Sequence, residues 1–298
     1  MSSLGPRLSA FKVALFLLLP NNIVWSWLLT AQERRELLEA NLHGNDERPD
    51  FTPEAYQKGN SFDSDADRRK HMDGKWILRF LETYNPDSVL ECGPGSGFHT
   101  RSIVEYPSVR WYAGCEVNRS FVEFLRSRLD ALSPDKLLSA QVFLGDVKEI
   151  EVAPVQAVIF SSSLHHMPDR ADIFSQLLSL VRQNGYICCV EPTHYLSRWR
   201  HLWRKVIMRG YVQDKVRGKT PLSTHHFCTW YEFRGLERLS QGKLRIIEVE
   251  YDGYRGLLVP RILGKLSRLL GLGWPSWLRN SFPVRLFSSR MMIVFQRI

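Results

Sequence analysis

The chain has 298 residues, a formal net charge of +9, 44% hydrophobic residues and 24% charged ones, the proportions of an ordinary globular protein large enough for one substantial core with additions. Five cysteines in this length exclude a disulfide scaffold. Cys92, Cys115, Cys188 and Cys189 fall inside apolar runs and Cys228 in a later segment, which suits reduced thiols used as small core residues.

From the N-terminus, Val13 to Leu29 contains no charged residue. A spanning helix wants about 20 apolar residues, and Pro20-Asn21-Asn22 interrupts this run where a helix would break or kink. Two readings stay open: an interfacial anchor carrying Trp25 and Trp27 near its end, and a helical pair packed over a binding site. Residues 1–43 are therefore expected to form an apolar helical segment. Residues 44–74, polar and charged with Pro49 and Pro53, read as a linker or lid. Tyr56 is its candidate for closing over a bound molecule.

The most specific segment is Val89-Leu90-Glu91-Cys92-Gly93-Pro94-Gly95-Ser96-Gly97-Phe98. Three glycines at alternate positions after an apolar run and an acid predict a strand opening into a tight nucleotide-binding turn, bare of Cβ atoms where a ligand approaches. A dinucleotide fingerprint wants its third glycine three residues after the second. Phe98 holds that place, and Gly97 comes two after Gly95.

The pattern of strand and acid then repeats at intervals expected of alternating strands and helices. Trp111 to Cys115 ends in Glu116, about where an acid on a second strand can hold a ribose. Ala140 to Leu144 ends in Gly145-Asp146, followed by Val147. Val155 to Phe160 runs into Ser161-Ser162-Ser163-Leu164-His165-His166. A helix over Ile173 to Arg182, a turn at Asn184-Gly185 and a fifth strand, Tyr186 to Val190, ending in Glu191-Pro192, complete the series.

In this order the motifs resemble those of the class I S-adenosylmethionine-dependent methyltransferases, over about residues 70 to 252. The Ser-Leu-His-His stretch resembles the small-molecule type of quinone biosynthesis. The resemblance implies S-adenosylmethionine as cofactor, held by Glu91, Gly93, Gly95, Gly97, Glu116, Asp146, Val147 and Ser161, with Asp146 on the adenine amine. The fold expected is α/β: a Rossmann-like, seven-stranded, mostly parallel sheet with helices on both faces, occupying residues 75–298. Such a cofactor also argues against export, so a cytoplasmic enzyme is expected.

Two insertions interrupt that fold, at about 194–225 after the fifth strand and 253–288 between the last two strands, Leu244 to Glu250 and Arg290 to Arg297. Both are amphipathic at helical spacing. Tyr195 to Lys219 carries eight basic residues against Asp214 alone, and Gly253 to Ile298 carries eight and no acid. The basicity is thus local. Peripheral contact with anionic lipid suits it best, a solvated basic face is the plain alternative, and nucleic acid is disfavoured because no reading module accompanies the charge. His225, His226 and Cys228 lack the second cluster that a zinc site needs, so no metal is expected.

Methyl transfer from a sulfonium requires chiefly alignment of nucleophile, carbon and sulfur. A base is needed where the acceptor is a weak acid, and histidine suits that role. His166 is the candidate base, with His165 beside it and one of the two expected to face inward. His194, His225 and His226 are candidates for lining the acceptor cavity. The expected acceptor is a small, apolar or lipid-like molecule methylated at oxygen or carbon. An RNA or protein methyltransferase using the basic insertions, and a non-catalytic membrane-associated protein that keeps the fold, are the alternatives.

Overall fold

A computed structural model describes residues 72–131, 139–167, 170–193, 228, 230–252 and 290–298. In chain order these form α1 (Met72–Tyr84), β1 (Ser88–Cys92), α2 (Thr100–Val104), β2 (Trp111–Glu116), α3 (Arg119–Asp130) and β3 (Ser139–Leu144). There follow β4 (Val155–Ser161), a 3-10 turn (Leu164–His166), α4 (Arg170–Leu180), β5 (Val181–Pro192), α5 (Trp230–Leu239), β6 (Leu244–Asp252) and β7 (Arg290–Arg297).

The strands make one sheet in the order β3-β2-β1-β4-β5-β7-β6. The first five run parallel, and β7 lies antiparallel between β5 and β6. This is the seven-stranded, mostly parallel sheet expected. The order reverses between β1 and β4, the position at which open α/β sheets bind ligands at the carboxyl ends of their strands.

Strand alternation divides the core between the two faces. Val89, Ala157, Ile159, Cys188, Val190, Met292 and Val294 face α1, α2 and α3, where Trp76, Ile77, Phe80, Ile103 and Leu125 cover them. Leu90, Val158, Phe160, Ile187, Cys189, Ile293 and Phe295 face α4 and α5, under Ile173, Phe174, Leu177, Phe233 and Leu236. All five residues of β1 are buried, as a strand covered on both faces requires. The five cysteines are free and buried in this core.

Helix α3 begins where Asn118 Oδ1 accepts from the N–H groups of Ser120 and Phe121, an N-cap that satisfies two otherwise orphaned donors. Helix α1 is tied across β6 by side chains. Trp76 Nε1 donates to Glu250 at 2.9 Å, Tyr84 Oη to Glu248 at 3.1 Å, and Arg79 pairs with both glutamates at 2.7 Å.

Helix α4 covers Arg170–Leu180 where the sequence predicts Ile173 to Arg182. Strand β5 starts earlier than expected because Val181 pairs with Val155 before a register shift, after which Tyr186 pairs with Gln296 of β7 and Ala157 of β4. The intervening turn places Asn184 at φ 62°. A Cβ on Gly185 would lie 2.7 Å from the Gln156 carbonyl oxygen, so only glycine fits there. Helix α1 also takes in residues 72–74, which the sequence reading gives to the linker.

Residues 1–71, with Tyr56 and Val13 to Leu29, lie outside the described residues, as do His194, His225, His226 and the insertions at 194–225 and 253–288. No helix among the described residues is long and apolar enough to cross a membrane.

Candidate active site

Three loops converge at the carboxyl ends of β1, β2 and β4. The loop after β1 turns sharply, with Gly93, Gly95 and Gly97 at φ 71°, 55° and 77°, all in the left-handed region that glycine tolerates without a steric cost. Gly93 has a second reason to lack a side chain. A Cβ there would sit 2.6 Å from Cβ of Ser163, while at Gly95 it would meet nothing within 4 Å. The loop is pinned below by Gly93 N–H donating to the Cys115 carbonyl at 2.8 Å and by Ser163 Oγ donating to the Cys92 carbonyl at 2.5 Å.

Glu116 joins this loop to the second one. Its Oε2 accepts from Gly95 N–H at 2.9 Å and its Oε1 from Asn118 N–H at 3.0 Å. The carboxylate at the end of β2 is thus held against the glycine turn. Gly145 N–H donates to the Glu116 carbonyl at 3.0 Å, bringing the end of β3 alongside, with Asp146 accepting from Lys148 N–H at 2.9 Å. Val147 points its side chain into the core, away from the groups just described. Val117 and Leu144, at the ends of β2 and β3, expose apolar side chains to 42% each; sequence reading passed over both, since single exposed aliphatics carry no motif.

Glu91 lies beneath the glycine loop and is 2% exposed. Its Oε2 accepts from Thr100 Oγ1 at 2.7 Å and from Tyr112 Oη at 2.8 Å. Burial pushes its pKa up to about 7 against the pull of these two donors, with Glu116 adding repulsion.

The third loop holds the two histidines. His165 turns inward and is 3% exposed, while His166 is exposed; their rings lie 4.0 Å apart between centroids, tilted by 39°. Glu191, at the end of β5 and missed as a site residue by the sequence reading, holds this turn. Its Oε1 accepts from the N–H groups of Ser163 at 3.1 Å and Leu164 at 2.8 Å, and its Oε2 lies 2.7 Å from Nδ1 of His165. From the opposite side Arg170, also buried, donates through Nε to the Leu164 carbonyl at 3.1 Å. Burial raises the Glu191 pKa, opposed by the Leu164 and Ser163 N–H groups, Arg170 and His166. The turn therefore has both its donors and its acceptors gripped by buried charged side chains.

Ser161, at the last position of β4, lies beside this arrangement. Its Oγ is enclosed and has no hydrogen-bond partner among the described residues.

Residues 90–187 match the model of a methyltransferase domain family. Over that stretch, about a third of the chain, the sequence is similar to a methyltransferase domain. Curated relatives include a trans-aconitate 2-methyltransferase of Escherichia coli O7:K1, 27% identical over 150 residues that cover 49% of this chain and 54% of the relative. The same enzyme of Shigella dysenteriae serotype 1 matches at 27% over the same shares. The chain spans about half the length of these relatives. Among solved structures, an S-adenosylmethionine-dependent methyltransferase of Aquifex aeolicus aligns with a TM-score of 0.50 at 10% identity, covering 83% of this chain and 100% of that one. That likeness concerns the fold.

The cofactor of this methyltransferase domain is S-adenosylmethionine, and the residues present fit it. The glycine turn keeps its backbone open at Gly95, a carboxylate at the end of β2 stands against that turn, and exposed apolar side chains at Val117 and Leu144 offer a base-stacking surface. A zwitterionic amino acid end, a ribose diol and a flat purine need those three kinds of group.

Proposed function

We propose that the chain transfers a methyl group from S-adenosylmethionine to a small molecule, at oxygen or carbon. The observation that carries this reading is the Glu116 carboxylate bonded to Gly95 N–H, which ties the end of β2 to the glycine turn. Glu116 would hold the ribose, the backbone of Gly93 to Gly97 the amino acid end, and Asp146 the adenine amine. The matched relatives, enzymes named for trans-aconitate, support a small-molecule acceptor over a macromolecule.

When bound, the cofactor supplies a methyl already activated by its sulfonium. The protein's work is then alignment and proton management. For a hydroxyl acceptor His166, on the exposed side of the turn, is the proposed base. His165, Glu191 and Arg170 are proposed to position it by fixing the turn from beneath. With Nδ1 of His165 turned to Glu191, this pair keeps one tautomer, and the neighbouring ring keeps its orientation. An apolar body on the acceptor, and peripheral contact with the membrane in which it dissolves, are proposed from Val13 to Leu29 and the two basic amphipathic segments.

The test is incubation of a metabolite extract with the full chain and cofactor labelled in its methyl group. A labelled small molecule is expected. Label in RNA or protein alone would replace this reading with the macromolecular one.

A further inference from the structure

Arg290 opens β7 and lies directly opposite Pro192 of β5, at the same end of the sheet as the loops described above. It stands on the face of Met292 and Val294, the side covered by α1. Its Nη1 donates to Oγ of Ser162 at 2.8 Å and pairs with Oδ2 of Asp73, in the first turn of α1. Ser162 Oγ in turn lies 3.2 Å from the same carboxylate. Three segments far apart in sequence thus meet at one guanidinium.

Several details favour a ligand over a plain structural tie. The Arg290 side chain is 29% exposed whereas that of Asp73 is 2% exposed, so the acid is the buried anchor and the cation the presented group. Only Nη1 is engaged by the described residues. The edge formed by Nε and Nη2, the one that matches a carboxylate or phosphate in a fork geometry, has no partner among the described residues. Ser162 is held at φ 55°, a conformation that costs a non-glycine residue about 1–3 kcal/mol. That strain sets its hydroxyl against Arg290 while the next residue, Ser163, touches the glycine loop. Ser161 Oγ, enclosed and without a partner among the described residues, lies on the same face.

We propose that Arg290, oriented by Asp73 and Ser162, is the specificity-determining anchor for an anionic oxygen group, carboxylate or phosphate, on the methyl acceptor. The idea rests on the methyltransferase reading and adds to it the acceptor's charge. An acceptor gripped there would carry its anionic group one or two residues from the loop that holds the cofactor. Where that group is itself a carboxylate to be methylated, it arrives deprotonated and needs no base.

The test uses the full chain saturated with S-adenosylhomocysteine and titrated in a calorimeter with acetate, succinate, citrate and inorganic phosphate. At least one of these binds the native chain, and Arg290→Gln weakens it about tenfold or more, the loss of a charge-assisted contact. The carboxylate and phosphate arms distinguish the two sources. Affinity for S-adenosylhomocysteine stays within about twofold in the variant, as expected of a residue that does not touch the cofactor. Arg290→Lys, which keeps the charge and the tie to Asp73, binds the anion with intermediate affinity and serves if the glutamine variant fails to fold. Absence of anion binding to the native chain, or equal binding by a folded Arg290 variant, overturns the proposal. Absence of S-adenosylhomocysteine binding would instead strike at the methyltransferase reading itself.

Discussion

Glu191 Oε2 stands 2.7 Å from Nδ1 of His165, with both side chains almost fully buried. The same carboxylate accepts from the backbone of Ser163 and Leu164, so one side chain from the end of β5 fixes the loop that follows β4. Removing a buried group with this many partners strands the donors it served, at about 1–3 kcal/mol each. Glu191→Ala is therefore expected to lower unfolding free energy by several kcal/mol, measured by denaturant titration. Glu191→Gln, which keeps an acceptor oxygen, is expected to lose less, about 1–3 kcal/mol.

The two histidines are expected to separate by kinetic signature. With a hydroxyl acceptor, His166→Ala lowers kcat about 10²-fold or more and leaves cofactor affinity intact. His165→Ala lowers stability as well as rate, because Glu191 loses its ring partner. Unchanged rates in His166→Ala would withdraw the base assignment.

Glu91 makes stability depend on pH. Its carboxyl in the fold titrates at about 7, above the ordinary value of 4.5, so the folded state holds a proton that the unfolded chain has released. Stability contributed by this group is present below pH 4.5, falls as pH rises toward 7 and is flat above. Glu91→Gln is expected to remove that slope and to raise unfolding free energy at pH 8 by roughly 3 kcal/mol, offset by any loss at the Thr100 and Tyr112 hydroxyls. Denaturant midpoints at pH 5, 6, 7 and 8 check it.

Glycine replacements separate the loop from the helix. Gly93→Ala sets a Cβ 2.6 Å from Ser163 at positive φ and is expected to cost about 1–3 kcal/mol and to weaken cofactor binding. Gly235→Ala, in α5 where a Cβ meets nothing within 4 Å, is expected to stabilise by up to about 1 kcal/mol through helix propensity. Thermal melts of both variants, beside the native chain, test the contrast.

Strands β1, β2 and β5 were legible because each has an apolar run that ends in or just before an acid, Glu91, Glu116 or Glu191; β7 begins and ends where its pattern predicts, and β1 to β4 differ by a residue or two. The glycine loop with Glu91, Glu116 and Asp146 was legible because its chemistry is local. Glu191 was visible as a strand-ending acid, yet its role depends on a loop 26 to 28 residues away. Asp73 and Arg290 are 217 residues apart, and no local spacing announces their meeting. The end of α4 was missed because Val181 and Arg182 continue its periodicity while sheet pairing with Val155 claims Val181.

The turn at Gly93 to Gly97, clasped by Glu116, is the proposed cofactor site. Calorimetric titration of the native chain and of Glu116→Ala with S-adenosylhomocysteine tests it most directly. One-to-one binding by the native chain is expected, weakened about tenfold or more in the variant, the loss of a charged hydrogen-bonding partner. A folded native chain that gives no binding heat, or a variant that binds as well as the native chain, would contradict it.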